Sequence, residues 1–127
     1  MDTMAASDNW VDETFPLRQM DVRGGVISYR EYGSVDDPVI VLLHGIGSAS
    51  GSWAYQLKDF SDRYRVIAWD APGYGTSTVL PVMAPSAADY AATLVDFLKC
   101  LGVQPDILIG HSLGALMVGA YAAKGGS

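Results

Sequence analysis

Three short apolar runs constrain this chain more than anything else in it: "VIVLL" at 39–43, "YRVIAWD" at 64–70 and "DILIG" at 106–110. Each is continuous rather than alternating, the pattern of a strand covered on both faces of a parallel sheet. Between the first two lies a weakly amphipathic stretch around Trp53, Leu57 and Phe60, which predicts a helix. Between the second and third, Tyr90, Leu94, Phe97, Leu98 and Leu101 share one helical face. Ser86-Ala87-Ala88-Asp89 has the spacing of a capping box before that helix, and Gly102 provides its stop. A helix of small residues, from about Ser112 to Lys124, follows the third run. Strands alternating with helices predict an α/β fold with a parallel sheet covered on both sides.

Upstream, "LRQMDVRGGVISYREYG" places two short alternating segments around Arg23-Gly24-Gly25, which predicts an antiparallel hairpin. Residues 71–85, rich in Gly, Pro, Ser and Thr, predict a loop. Residues 1–15 predict a flexible arm, with Trp10, Val11 and Phe15 available to pack on a body spanning 16–127. A chain of 127 residues, 50% of them hydrophobic, suffices for one domain or part of one.

The balance of 8 Lys and Arg against 14 Asp and Glu gives a formal charge of −6, which repels polyphosphates and argues against a nucleic-acid partner. The single Cys100 has no internal disulfide partner and reads as inert packing on its helix, so a cytoplasmic location is the expectation. The first residues have neither the basic start nor the apolar run of a signal peptide, and no stretch is long enough to span a membrane. A soluble protein acting on a small molecule is therefore expected. No metal or cofactor motif is evident.

The chemistry concentrates in "IGHSLGA", residues 109–115. In Gly110-His111-Ser112-Leu113-Gly114, a serine sits between a strand and a helix with a glycine two positions to either side. Such a turn is too sharp for larger residues at the glycine positions. It lifts the serine oxygen above the sheet end, where the new helix aims its free N–H groups. Read alone, the pentad fits equally well a serine that merely caps the helix.

Two further motifs, in register with the first, settle how the pentad is read. "VLLHGIGSASGSW" and "DAPGYGTS" each follow a predicted strand, and together with "IGHSLGA" they resemble the N-terminal half of the α/β-hydrolase family over residues 18–124. The resemblance implies a mostly parallel sheet with an N-terminal antiparallel hairpin and flanking helices. It implies Ser112 as nucleophile, forming an acyl-enzyme with an ester, an amide or an activated C–C bond. The backbone N–H groups of Ile46 and Leu113 would hold the oxyanion. His44 and Gly45 would support the oxyanion loop, and Gly110, His111 and Gly114 the elbow. Neither His44 nor His111 is expected to be the general base. A serine at the elbow argues against members that use aspartate there, such as typical haloalkane dehalogenases and epoxide hydrolases. Trp53 and Tyr74 are candidates for a pocket lining or for plain core, and Asp70 is expected to anchor the loop after it.

In the resembled family the acid and then the histidine follow the nucleophile. The fifteen residues after Ser112, "LGALMVGAYAAKGGS", contain neither. The chain alone is therefore expected to be inactive, and the unpaired far edge of its "DILIG" strand to invite self-association. Two rival readings remain. One is a non-catalytic binding module of hydrolase ancestry. The other is a dinucleotide-binding domain, with Gly45-Ile46-Gly47, Gly51 and Asp70 as its fingerprint. The G-x-G-x-x-x-G spacing and the leading hairpin weigh against the latter, and an NADH titration would separate them.

Overall fold

The computed structural model describes residues 10–124. Its five strands are β1 (Arg18–Val22), β2 (Gly25–Tyr32), β3 (Val39–Leu43), β4 (Arg65–Trp69) and β5 (Ile107–Gly110). A 3₁₀ turn (Ser50–Trp53) leads into α1 (Ala54–Phe60), and α2 (Ala87–Leu101) and α3 (Leu113–Ala123) complete the elements. The strands form one sheet in the order β1-β2-β4-β3-β5. β1/β2 and β2/β4 pair antiparallel, and β4/β3 and β3/β5 pair parallel. The hairpin closes at the Val22↔Gly25 pair through Arg23 and Gly24, the latter at φ 89°, a conformation that favours glycine.

The continuous apolar runs become strands because two layers cover them. Val39, Val41, Leu43, Ile67 and Trp69 face one core with Leu94, Phe97 and Leu98 of α2 and Met117 of α3. Their alternates Ile40, Leu42, Val66 and Ala68 face a second core with Ala54 and Leu57 of α1. The period of two thus divides each run between two helical layers. The capping box forms as its spacing predicts. Asp89 N donates to Ser86 Oγ at 3.2 Å, Ser86 N donates to Asp89 Oδ2 at 2.8 Å, and Gly102 ends α2 at φ 73°.

Two expectations are corrected. β5 is not covered on both faces, Ile107 being 39% exposed, although it is, as expected, unpaired at its far edge among the described residues. Cys100 is exposed rather than packed, because it lies off the apolar stripe of α2. Trp10, Val11 and Phe15, the residues of the N-terminal arm available to pack, do pack on the body. Residues 10–14 are helical and Phe15 is fully buried in the second core, edge-on to Tyr32 at 4.9 Å. Residues 1–9 of that arm lie outside the described residues. Among the described residues no helix is long and apolar enough to cross a membrane.

Phe15→Ala is expected to destabilise the fold by about 3–5 kcal/mol, the cost of emptying a closed aromatic site. Urea unfolding measures it, and a loss below about 1 kcal/mol would show that the segment is not part of the core.

Candidate active site

Parallel pairing of β3 with β5 brings two strand ends together, with Leu43 opposite Gly110. The chain turns into loops at the carboxyl ends of these adjacent strands, the usual place for a ligand in an open α/β sheet. His111 N donates to Leu43 O at 3.1 Å and fixes the two exits side by side. The "HGIG" loop and the serine elbow therefore share one edge of the sheet.

Ser112 has φ 58° and ψ −118°, and it is the one non-glycine residue at positive φ among the described residues. That backbone costs on the order of 1–3 kcal/mol and persists only where the surroundings impose it. The surroundings are the two glycines. A Cβ on Gly110 would fall on the Gly114 carbonyl, and a Cβ on Gly114 would fall on the Leu43 carbonyl and within 3.0 Å of His44 O. Ser112 occupies the N-cap position of α3, yet its side chain makes no capping hydrogen bond and it is exposed. A capping serine would turn its oxygen back onto an N–H of the first turn, and this one does not.

Gly45 stands directly against the serine. A Cβ there would lie 2.9 Å from Ser112 Cβ and 3.1 Å from His111 Nδ1. The next residue, Ile46, is 73% exposed. The backbone N–H groups of Ile46 and Leu113 have no acceptor among the described residues, whereas their neighbours Ser48 N and Gly114 N donate to Gly45 O and His111 O. Two free donors thus flank the residue pair that holds the serine in place.

His44 is 1% exposed and both of its ring nitrogens are engaged. Nε2 accepts from Ala71 N at 3.0 Å, so Nδ1 carries the proton toward Gly45 O at 2.9 Å. Tyr74 packs edge-on against the ring at 4.8 Å. His44 is therefore a structural prop for the loop. His111 is exposed and makes no hydrogen bond to Ser112 among the described residues. It lines a cleft of about 280 Å³ with Gly45, Ser48, Ser52, Trp53 and Gln56. Trp53 is thus a wall of the cleft, while Tyr74 also packs against the first core. Burial, and then the neighbouring Tyr74, pushes the Tyr90 phenol above its ordinary value. Burial does the same for Tyr121, so both stay protonated and neither supplies a base near neutral pH. Among the described residues, no three His, Cys, Asp or Glu side chains converge as a metal site would require.

Asp70 does anchor the loop after β4: Ser77 Oγ donates to its carbonyl at 2.6 Å, and a Cβ on Gly75 would press on its carboxylate at 2.5 Å. It also reaches back across the sheet end to Ser50 N at 2.7 Å, a contact that sequence reasoning missed. Arg30, which meets the same Ser50 from the other side at 3.1 Å, was missed too. Neither residue sits in a motif with its partner, since each pair is 20 positions apart.

Comparison with known proteins agrees with this geometry. A family profile described as "alpha/beta hydrolase fold" matches residues 38–126. The chain is 34% identical over 119 residues to the 2-(acetamidomethylene)succinate hydrolase of Mesorhizobium japonicum, covering 94% of this chain and 40% of that protein. It is 37% identical over 91 residues to epoxide hydrolase 4 of Homo sapiens, covering 70% of this chain and 25% of the relative. Among solved structures, a bacterial membrane phospholipase A superposes with a TM-score of 0.85 at 29% identity, over 96% of this chain and 40% of the other. The chain thus spans two fifths or less of the length of each of these proteins.

Proposed function

The chain belongs to the alpha/beta-hydrolase family, and from that premise we propose that it carries the nucleophile half of a serine hydrolase. Ser112 Oγ attacks a carbonyl carbon of an ester, an amide or an activated C–C bond, a C–O bond forms, and the carbonyl oxygen becomes an oxyanion. The N–H groups of Ile46 and Leu113 receive that charge. Collapse of the adduct expels the leaving group and leaves an acyl-enzyme on Ser112. Fixed donors aimed at charge present only in the transition state are worth about 3–4 kcal/mol each.

The observation that carries this reading is the strained, exposed and non-capping Ser112 beside two unpaired N–H groups. The serine itself favours acyl chemistry over the epoxide opening named for some relatives. The named activity of the Mesorhizobium relative, hydrolysis of an acetamidomethylene succinate, supports an amide or a related acyl compound as the substrate class.

The proton leaving Ser112 needs a base, and of the two histidines in the sequence His44 is committed and His111 makes no hydrogen bond to the serine. Without added base, the 127-residue polypeptide is expected to hydrolyse p-nitrophenyl acetate at the background rate. Added imidazole supplies the base. It is expected to raise acetylation of Ser112 about a hundredfold, read by mass spectrometry of the tryptic peptide 100–124, and Ser112→Ala should abolish that signal. Acetyl groups on lysines alone would favour the binding-module reading. Robust turnover without imidazole that Ser112→Ala removes would contradict the expectation of an incomplete site.

A further inference from the structure

The loop that carries Ile46 is exposed at its tip, so the position of its N–H depends on how the loop is held at its ends. One end is His44, bound through both ring nitrogens. The other is Ser50, which is 1% exposed and gripped by two charged groups at once. Asp70 Oδ1 accepts from Ser50 N at 2.7 Å, and Arg30 Nε donates to Ser50 Oγ at 3.1 Å. Both grips are themselves fixed. The second oxygen of Asp70, Oδ2, accepts from Ser28 Oγ of β2 at 2.6 Å, and Asp70 is 1% exposed. Arg30 Nη1 donates to Phe15 O at 2.7 Å and to Asp12 Oδ1 at 3.0 Å.

Burying a carboxylate and a guanidinium at one backbone position is costly unless their hydrogen bonds are complete. The two groups do not bond each other directly; they meet through Ser50. A plain structural ion pair would not need that serine between them. The arrangement makes sense as a fixture for the segment 44–50, and it ties that segment to β2, to the turn after β4 and to the N-terminal segment.

We propose that Asp70 and Arg30 are positioning residues that clamp Ser50 and so hold the Ile46 N–H in line with Ser112. This rests on the reading of Ile46 as an oxyanion donor. Two sets of substitutions at one carboxylate separate positioning from plain stability. Asp70→Ala removes the acceptor of Ser50 N and Ser50→Ala removes the Arg30 grip, whereas Ser28→Ala disturbs the far oxygen of Asp70 and the contacts of Ser28 Oγ with Thr76 N and Ser77 Oγ, and touches neither hydrogen bond of Ser50.

Phenylboronic acid is the probe, since it forms a tetrahedral adduct with a serine oxygen, and its dissociation constant is measured on the 127-residue protein alongside amide hydrogen exchange. Asp70→Ala is expected to weaken the adduct about tenfold and Ser50→Ala about threefold, the scale of losing one or a part of one buried hydrogen bond. Ser28→Ala should lower the melting temperature yet keep the constant within about twofold. Exchange at Ser50 N–H should rise in Asp70→Ala and not in Ser28→Ala. Adduct loss that simply follows melting temperature across all three variants would overturn the proposal, as would no loss in any. If the unmodified protein forms no adduct at all, the nucleophile reading fails and exchange alone decides. Selective loss of protection at Ser50 in Asp70→Ala then upholds the clamp, and equal protection in Asp70→Ala and Ser28→Ala overturns it.

Discussion

Gly114→Ala is expected to destabilise the protein by about 4 kcal/mol or more, a loss reserved for substitutions that force backbone apart. The new methyl would fall on the Leu43 carbonyl oxygen and stand 2.8 Å from its carbon. Neither atom can yield as a side-chain tip could, because Leu43 ends a central strand and its oxygen accepts from His111 N. Either α3 backs away from β3, or the elbow opens and the strain at Ser112 is released. Gly119 on the same helix supplies the control. A Cβ there meets nothing within 4 Å, so Gly119→Ala is expected to raise stability by about 0.5–1 kcal/mol through helix propensity and a less flexible unfolded chain. Urea denaturation of both variants tests this; a mild effect of Gly114→Ala would mean that the elbow is not closely packed on β3.

Gly45→Ala is expected to act on chemistry more than on stability. Its methyl would crowd Ser112 Cβ at 2.9 Å and His111 Nδ1 at 3.1 Å, so the serine must turn or the loop must retreat. Displacement of a reacting oxygen by about 1 Å costs on the order of a hundredfold in rate. Imidazole-supported acetylation of Ser112 should fall by about that factor, while stability falls by only about 1–2 kcal/mol. Acetylation that survives unchanged would show that Gly45 and Ser112 are not in register as described.

The elements that sequence made legible are those whose pattern depends on local chemistry alone. Two-residue turns, the capping box at Ser86 and the stop at Gly102 are written in a few adjacent positions, and they form as expected. The elbow was legible for the same reason: the clearance around Ser112 requires glycine at 110 and 114 whatever the rest of the fold does. β5 misled in its burial alone, because "ILIG" has the same apolar character as "VIVLL", and apolar character does not state whether both faces of a strand are covered. Cys100 could have been placed correctly, since the stripe through Leu94, Phe97, Leu98 and Leu101 leaves position 100 outside it. The Arg30–Ser50–Asp70 contacts had no such signal. They arise only when β2, the loop after β3 and the end of β4 meet in space, and of the three only Asp70 is marked by its own surroundings, as the anchor of the loop that follows it. Phe15, with Trp10 and Val11, is legible as able to pack, but its partners Ile40, Leu42 and Val66 are not, because they come from strands far along the chain.

The ¹¹B spectrum of phenylboronic acid bound to this protein tests the central claim most directly, because boron becomes tetrahedral when a nucleophile adds to it and Ser112→Ala tells whether that nucleophile is Ser112. A tetrahedral signal present with the unmodified protein and lost in Ser112→Ala is the predicted result, and it would place a reactive serine oxygen at a site able to hold the resulting anion. A signal that stays trigonal, or a tetrahedral one that survives in Ser112→Ala, would contradict it.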